Sequence, residues 1–341
     1  MTRLPLLALP VAAAVVVARR RSNVAPAGTP FPSPAGRPLE VMADDGVVLR
    51  GTVHGPADAT STVVLVHGYE LSERLWARQV EALLAARPDL RVVTYDHRGH
   101  GGSDRSPAAH ATLVQLGVDL HAVLAAAAPA GPVLLAGHSM GGMTLMAFAE
   151  QHPAYVAQRL VGAAFLSTSP GRLVEVTYGL PKAAARLVQR SLPWFNERAR
   201  AREQAGRGKP ARPGIARLLF GGGALAADVA ATLAVMADCP AATVADFHAT
   251  FVDHDRVAAL EAFASVPVLV VCGSQDRICP LDHSRDVAAA LPHGRLVVYP
   301  GAGHMVQLER AAEVSARLVE LADALPRPDG RRRTRSSSPA S

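Results

Sequence analysis

Ser139 stands in Gly137-His138-Ser139-Met140-Gly141, after the apolar run Pro132–Ala136 and ahead of a stretch with helical spacing, Met143–Gln151. A serine hydroxyl attacks a carbonyl only if a base takes its proton and the chain presents it on a sharp turn. The pattern G-x-S-x-G supplies such a turn when it joins a strand to a helix. Glycines on either side let neighbouring backbones approach without Cβ clashes, and the following helix points its N-terminus at developing negative charge. Ser139 is therefore the candidate nucleophile.

A serine nucleophile needs a base, and the base needs an orienting acid. Asp276 follows the apolar run Val266–Cys272 in Gly273-Ser274-Gln275-Asp276, and His304 follows Arg295–Tyr299 in Gly301-Ala302-Gly303-His304. Each comes just past a strand's carboxyl end. Position selects His304 from the chain's 13 histidines. The order Ser, Asp, His is one of the known chain orders of this triad. A competing acid after the run Ala163–Ser167 is disfavoured, because Thr168 and Ser169 stand there.

His67-Gly68-Tyr69 follows the run Thr62–Val66. There the Tyr69 backbone N–H, paired with that of Met140, is the candidate oxyanion hole, a feature worth about 10²–10³-fold in rate per donor. Gly137, His138, Gly141, His67 and Gly68 are expected to support the turn. Asp96-His97-Arg98-Gly99-His100-Gly101 is polar and glycine-rich, and its expected role is scaffolding. The three cysteines are too few and too scattered for a disulfide framework or a zinc site. Cys272 reads as a small core residue, and Cys279 carries no expected reactivity.

Positioning these residues requires a sheet. Val47–Val53, Thr62–Val66, Arg91–Tyr95, Pro132–Ala136, Ala163–Ser167, Val266–Cys272 and Arg295–Tyr299 read as strands. Several are apolar throughout, as in a parallel sheet covered on both faces. Leu75–Ala86, Leu113–Ala127 and Thr144–Gln151 have helical spacing. The alternation predicts an α/β fold with a doubly wound, mostly parallel sheet. Residues 39–169 and 263–325 form its expected core. Residues 170–262 hold helical pattern and no convincing strand, and they read as a helical cap with a flexible basic loop over Arg198–Arg217.

Taken together, residues from about 40 to 325 resemble the α/β-hydrolase superfamily. Leu65-Val66-His67-Gly68-Tyr69, Asp96-His97-Arg98-Gly99-His100-Gly101-Gly102-Ser103, Gly137-His138-Ser139-Met140-Gly141-Gly142 and Gly301-Ala302-Gly303-His304 are similar to its monoacylglycerol lipase and non-haem haloperoxidase-like esterase branch. The resemblance implies a hydrolase of carboxylic esters that uses no metal or organic cofactor and carries a movable cap. Members that place an aspartate at the nucleophile position are disfavoured by Ser139. The same triad serves thioesterases, acyltransferases and carbon–carbon bond hydrolases, and fold does not choose among them. A non-catalytic receptor that keeps the pocket is the rival from another class.

The ends carry most of the charge. The formal charge is +6, but Arg3 and Arg19–Arg21 at one end, and Arg327, Arg331–Arg333 and Arg335 at the other, leave the body near neutral. A nucleic-acid partner is therefore not expected; a small-molecule or lipid ester is. Residues 1–38 read as an apolar segment, Leu4–Ala18, followed by a Pro-rich linker. Fifteen apolar residues fall short of a bilayer span of about 20, and the arginines that follow hinder export. The expectation is a membrane-associated or cytoplasmic protein held at the surface through its N-terminus, with secretion as the alternative. Residues 326–341 read as a disordered basic tail.

Overall fold

In a computed structural model, residue 31, residues 34–207, residue 212 and residues 214–327 are described. Leu4–Ala18, most of the expected linker and the tail beyond Arg327 lie outside them. Eight strands form one sheet: β1 (Arg37–Met42), β2 (Val48–His54), β3 (Thr62–Val66), β4 (Arg91–Tyr95), β5 (Val133–His138), β6 (Leu160–Leu166), β7 (Val268–Gly273) and β8 (Gly294–Tyr299). Their spatial order is β1-β2-β4-β3-β5-β6-β7-β8. β1 and β2 pair antiparallel, β2 pairs antiparallel with β4, and all remaining pairs are parallel. The expected α/β class and mostly parallel sheet are present.

All seven expected strands occur, with ends displaced by a few residues. β1 is a correction, since Arg37 and Pro38 belong to a strand and not to a linker. It is one of the two edge strands and mostly exposed, so its residues lack the continuous apolar run that marks a buried strand. A proline is tolerated there because an edge leaves one row of N–H groups unpaired.

The helices are α1 (Ala77–Ala86), α2 (Leu113–Ala127), α3 (Met140–Gln151), α4 (Pro153–Arg159), α5 (Lys182–Gln204), α6 (Ile215–Leu219), α7 (Ala226–Asp238), α8 (Ala241–His248), α9 (Leu281–Ala289), α10 (Val306–Glu309) and α11 (Ala311–Ala322). Alternate strand residues face opposite layers. Val64, Val93, Leu135 and Val270 pack under α2, α3 and α9, while Val63, Val92, Leu134 and Leu269 pack under α1 and α11. Strands buried on both faces need helices on both, so the apolar runs of β3, β5 and β7 fix this layering.

Between β6 and β7 the chain leaves the sheet and forms α5 to α8. The expected flexible basic loop over Arg198–Arg217 is half wrong. α5 continues as helix through Pro193 to Gln204, so Arg198, Arg200 and Arg202 are helical. Arginine and alanine are strong helix formers, and they outlast the single proline.

Candidate functional site

β3 and β5 lie side by side, with Val66 opposite Gly137. The loop after β3 and the turn after β5 therefore emerge together, beside the point where the strand order reverses and where such sheets place ligands. Ser139 occupies that turn with φ 54° and ψ −121°, a conformation rare for a residue with a side chain. Its neighbours allow it. A Cβ on Gly137 would sit 2.5 Å from the Gly141 carbonyl carbon, and one on Gly141 would sit 2.2 Å from the Val66 carbonyl oxygen. Thr168 holds the turn from the β6 side, donating from Oγ1 to the Ser139 carbonyl at 2.7 Å.

The three sequence-selected side chains converge. Ser139 Oγ lies 3.0 Å from His304 Nε2. His304 Nδ1 lies 2.9 Å from Asp276 Oδ2 and 3.1 Å from Oδ1. The carboxylate also accepts the backbone N–H groups of Ile278 and Cys279, both at 2.9 Å on Oδ1. These bonds use the carboxylate's remaining capacity and fix its plane against the imidazole. All three residues are buried.

Two loops carry the acid and the histidine, and they are pinned to each other. Gln275 N donates to the Ala302 carbonyl at 2.8 Å, and Gly301 N donates to Ser274 Oγ at 2.9 Å. His138 Nε2 donates to the His304 carbonyl at 3.0 Å, tying the serine turn to the histidine loop.

Tyr69 and Met140 flank Ser139, one at the end of the β3 loop and one as the first residue of α3. Within the described residues, no hydrogen bond occupies the backbone N–H of either. The close approach depends on Gly68, where a Cβ would meet Ser139 Cβ at 3.0 Å. His67 braces this loop. Its Nε2 accepts the His97 backbone N–H at 2.9 Å, so its Nδ1–H donates to the Gly68 carbonyl at 2.7 Å.

A histidine that bonds in this way must stay neutral, and burial enforces it. Burial pulls His67 well below its ordinary value, and pulls His97 and His138 to about 3 and His100 to about 4. Asp96 accepts the backbone N–H groups of Glu73 at 2.7 Å and Gly102 at 2.8 Å. Burial nevertheless raises it to about 7. Arg98 grips Asp119 and Asp45. Asp96, His97, Arg98, His100 and Ser103 are thus buried polar groups, and His97 braces the His67 loop. Cys279 is buried as well, and burial pushes its thiol well up.

Several contacts left no trace in the sequence. Glu309 accepts Gly303 N on one oxygen and Gly221 N on the other, each at 2.8 Å. It therefore joins the residue before His304 to the segment after α6. Met305 N donates to the Leu219 carbonyl at 3.0 Å in the same place. The Tyr69 hydroxyl donates to the Val244 carbonyl of α8, and Arg212 pairs with the buried Glu70. The β6–β7 insertion thus lies over the serine turn and touches both loops beside it. Thr168 could have been noticed as the residue just past β6. Glu309 could not, because its acceptor role depends on a loop 88 residues away.

Apolar groups surround the polar centre. Met140, Met143 and Phe247 belong to one buried cluster, Leu219, Phe220 and Met305 to another, and Ile278 packs against both. Among the described residues, no group of three or more histidine, cysteine, aspartate or glutamate side chains is arranged to hold a metal ion.

A fold of this topology with a serine–histidine–carboxylate line at the strand ends defines a class. The chain belongs to the α/β hydrolase fold family, whose sequence pattern matches residues 61–311. It is 29% identical over 291 residues to an uncharacterized protein of Mycobacterium tuberculosis, covering 79% of this chain and 78% of that one. It is 29% identical over 264 residues to BpoC of the same organism, whose name places it with the non-heme bromoperoxidases, covering 76% and 92%. Among solved structures it resembles a thermophilic esterase from Thermogutta terrifontis, at TM-score 0.66 and 25% identity, covering 83% and 97%. These likenesses support hydrolytic chemistry.

Proposed function

We propose that the protein is a serine hydrolase that cleaves carboxylic esters through an acyl-enzyme. One observation carries the reading: the unbroken line from Asp276 through His304 to Ser139, with spacings of 2.9 and 3.0 Å. In this mechanism His304 Nε2 takes the Ser139 proton as Oγ attacks the ester carbonyl. Asp276 holds the Nδ1–H tautomer and stabilises the imidazolium that forms. The Tyr69 and Met140 amides, free of other partners, receive the oxyanion. The imidazolium returns its proton to the leaving alcohol. A water deprotonated by His304 then attacks the acyl-enzyme, and the acid departs as Ser139 regains its proton.

The α5–α8 insertion acts as a cap in this reading, excluding water from the reacting carbonyl. The apolar clusters that meet at Ile278 favour substrates with lipophilic acyl or alcohol parts. Hydrolysis of p-nitrophenyl esters from acetyl to palmitoyl tests the proposal, with Ser139→Ala alongside and a fluorophosphonate probe for the nucleophile. Turnover and labelling are both expected to disappear in Ser139→Ala. Equal turnover in the two proteins would overturn the serine mechanism. Serine-dependent labelling without oxygen-ester turnover would move the substrate class to thioesters or carbon–carbon bonds.

A further inference from the structure

Among the described residues, eight of the ten exposed large hydrophobic residues lie from Val174 to Val257. The densest group is on α5. Trp194 is 59% exposed, and Phe195 and Leu187 are each 55% exposed, whereas the chain's other tryptophan, Trp76, is 1% exposed. Trp194 and Phe195 stack edge to face with ring centroids 4.8 Å apart, so the pair forms one projecting apolar body.

At about 100° per residue, Lys182, Arg186, Arg190 and Arg198 fall on the same side of α5 as Leu187 and Trp194. Lys182, Arg186 and Arg190 are exposed and form no ion pair among the described residues. Arg198 sits over the Trp194 ring, 5.6 Å from its centre. The acid on this side, Glu197, is engaged by Arg200 at 3.6 Å. The outer face of α5 is therefore cationic around an aromatic ridge. That pairing suits the boundary of an anionic bilayer, where arginine and lysine meet phosphate groups and tryptophan takes the level of the headgroups.

A second observation concerns where the N-terminal chain joins. Phe31 is buried in a cluster that also holds Leu71, Leu75 and, from the β6–β7 insertion, Leu219, Phe220 and Met236. The uncharged run Leu4–Ala18 and Arg19–Arg21 precede Phe31 in the sequence. No single described helix is long and apolar enough to cross a bilayer; a pair bent by 87°, Ala226–Asp238 with Ala241–Phe251, passes by length and composition only.

We propose that α5 is an interfacial helix that docks the protein, insertion first, on membranes rich in anionic phospholipid. Leu187, Trp194 and Phe195 enter the headgroup boundary, and Lys182, Arg186, Arg190 and Arg198 contact its phosphates. The proposal stands apart from the chemistry at Ser139.

The test uses the full chain with vesicles of phosphatidylcholine, alone or mixed with phosphatidylglycerol, and follows tryptophan emission. Trp76 is buried in the core and stays constant, so changes report Trp194. A blue shift, and quenching by brominated phospholipid, are expected with the anionic mixture and not with phosphatidylcholine alone. Arg186→Ala with Arg190→Ala should weaken partition roughly 25-fold, at about fivefold for each cation removed. Turnover of a soluble short-chain ester should be unchanged in that variant, which shows that it is folded.

Unchanged Trp194 emission on anionic vesicles overturns the proposal. If the chain still pelleted with them, residues 1–30 would be the anchor. A blue-shifted Trp194 in a lipid-free dimer, seen by sedimentation velocity, would overturn it too and make this face a contact between copies.

Discussion

Ser139 holds its hydroxyl in place through a backbone conformation that costs stability, of order 1–3 kcal/mol for such positions. The turn survives because Thr168 and the flanking glycines leave the chain no better arrangement. On the proposed mechanism, Asp276→Asn would keep this shape but offer His304 the wrong tautomer. Its kcat is expected to fall about 10⁴-fold with KM nearly unchanged, as single-turnover ester hydrolysis would show. Glu309 acts one step further out. Glu309→Gln replaces one accepting oxygen with an NH₂ that faces a backbone N–H, either at Gly303 or at Gly221. The His304 loop should loosen, and kcat/KM should drop about tenfold. Parallel kinetics and fluorophosphonate labelling rates check this, and unaltered values in both would remove Glu309 from the positioning set.

The loop after β4 shows what an element can do without touching substrate. Arg98 is fully buried between Asp119 and Asp45, and burial pushes Asp119 upward despite the guanidinium. Arg98→Ala would leave Asp119 charged in the interior. The expected loss is about 3–5 kcal/mol, read as a shift of the urea midpoint at constant slope. The sequence reading expected this segment to serve as scaffold, and five of its polar residues are buried. The strands β3 to β8 were legible as short apolar runs alternating with helical stretches. β1 was not, because an edge strand has one wet face and Pro38 mimics a linker. The extent of α5, which runs to Gln204, was hidden because the glycines and prolines interleaved with the basic run read as a loop signal. Ser139, Asp276 and His304 were findable from their places at strand ends. The ties through Glu309 to Gly221 and from Tyr69 to Val244 were not, because they join residues far apart in the chain.

At the scale of the molecule, the buried histidines set the acid limit. His67, His97, His100 and His138 are neutral in the fold, while the unfolded chain protonates them below their ordinary value near 6.5. The unfolded state then binds more protons, so stability is full above about pH 6.5 and declines as pH falls towards 3–4. Asp96, raised to about 7, works in the opposite direction, losing stability as pH rises through that value. Four groups outweigh one. The Tm is expected to fall steadily from pH 7 to pH 5 in scanning calorimetry, and a flat Tm over that interval would contradict the assignment of neutral histidines.

The insertion between β6 and β7 is bound to the histidine loop through Glu309 and Leu219, and to the Tyr69 loop through Val244 and Arg212. It is therefore not an exchangeable part. A chimaera that received the corresponding segment of a relative would lose the partners of both loops at once, even if the new segment folded and enclosed a larger chamber. On the proposed function, breadth of substrate would have to come from changing side chains inside the existing segment, such as Phe247 or Phe220, because its backbone anchors are shared with the His304 and Tyr69 loops.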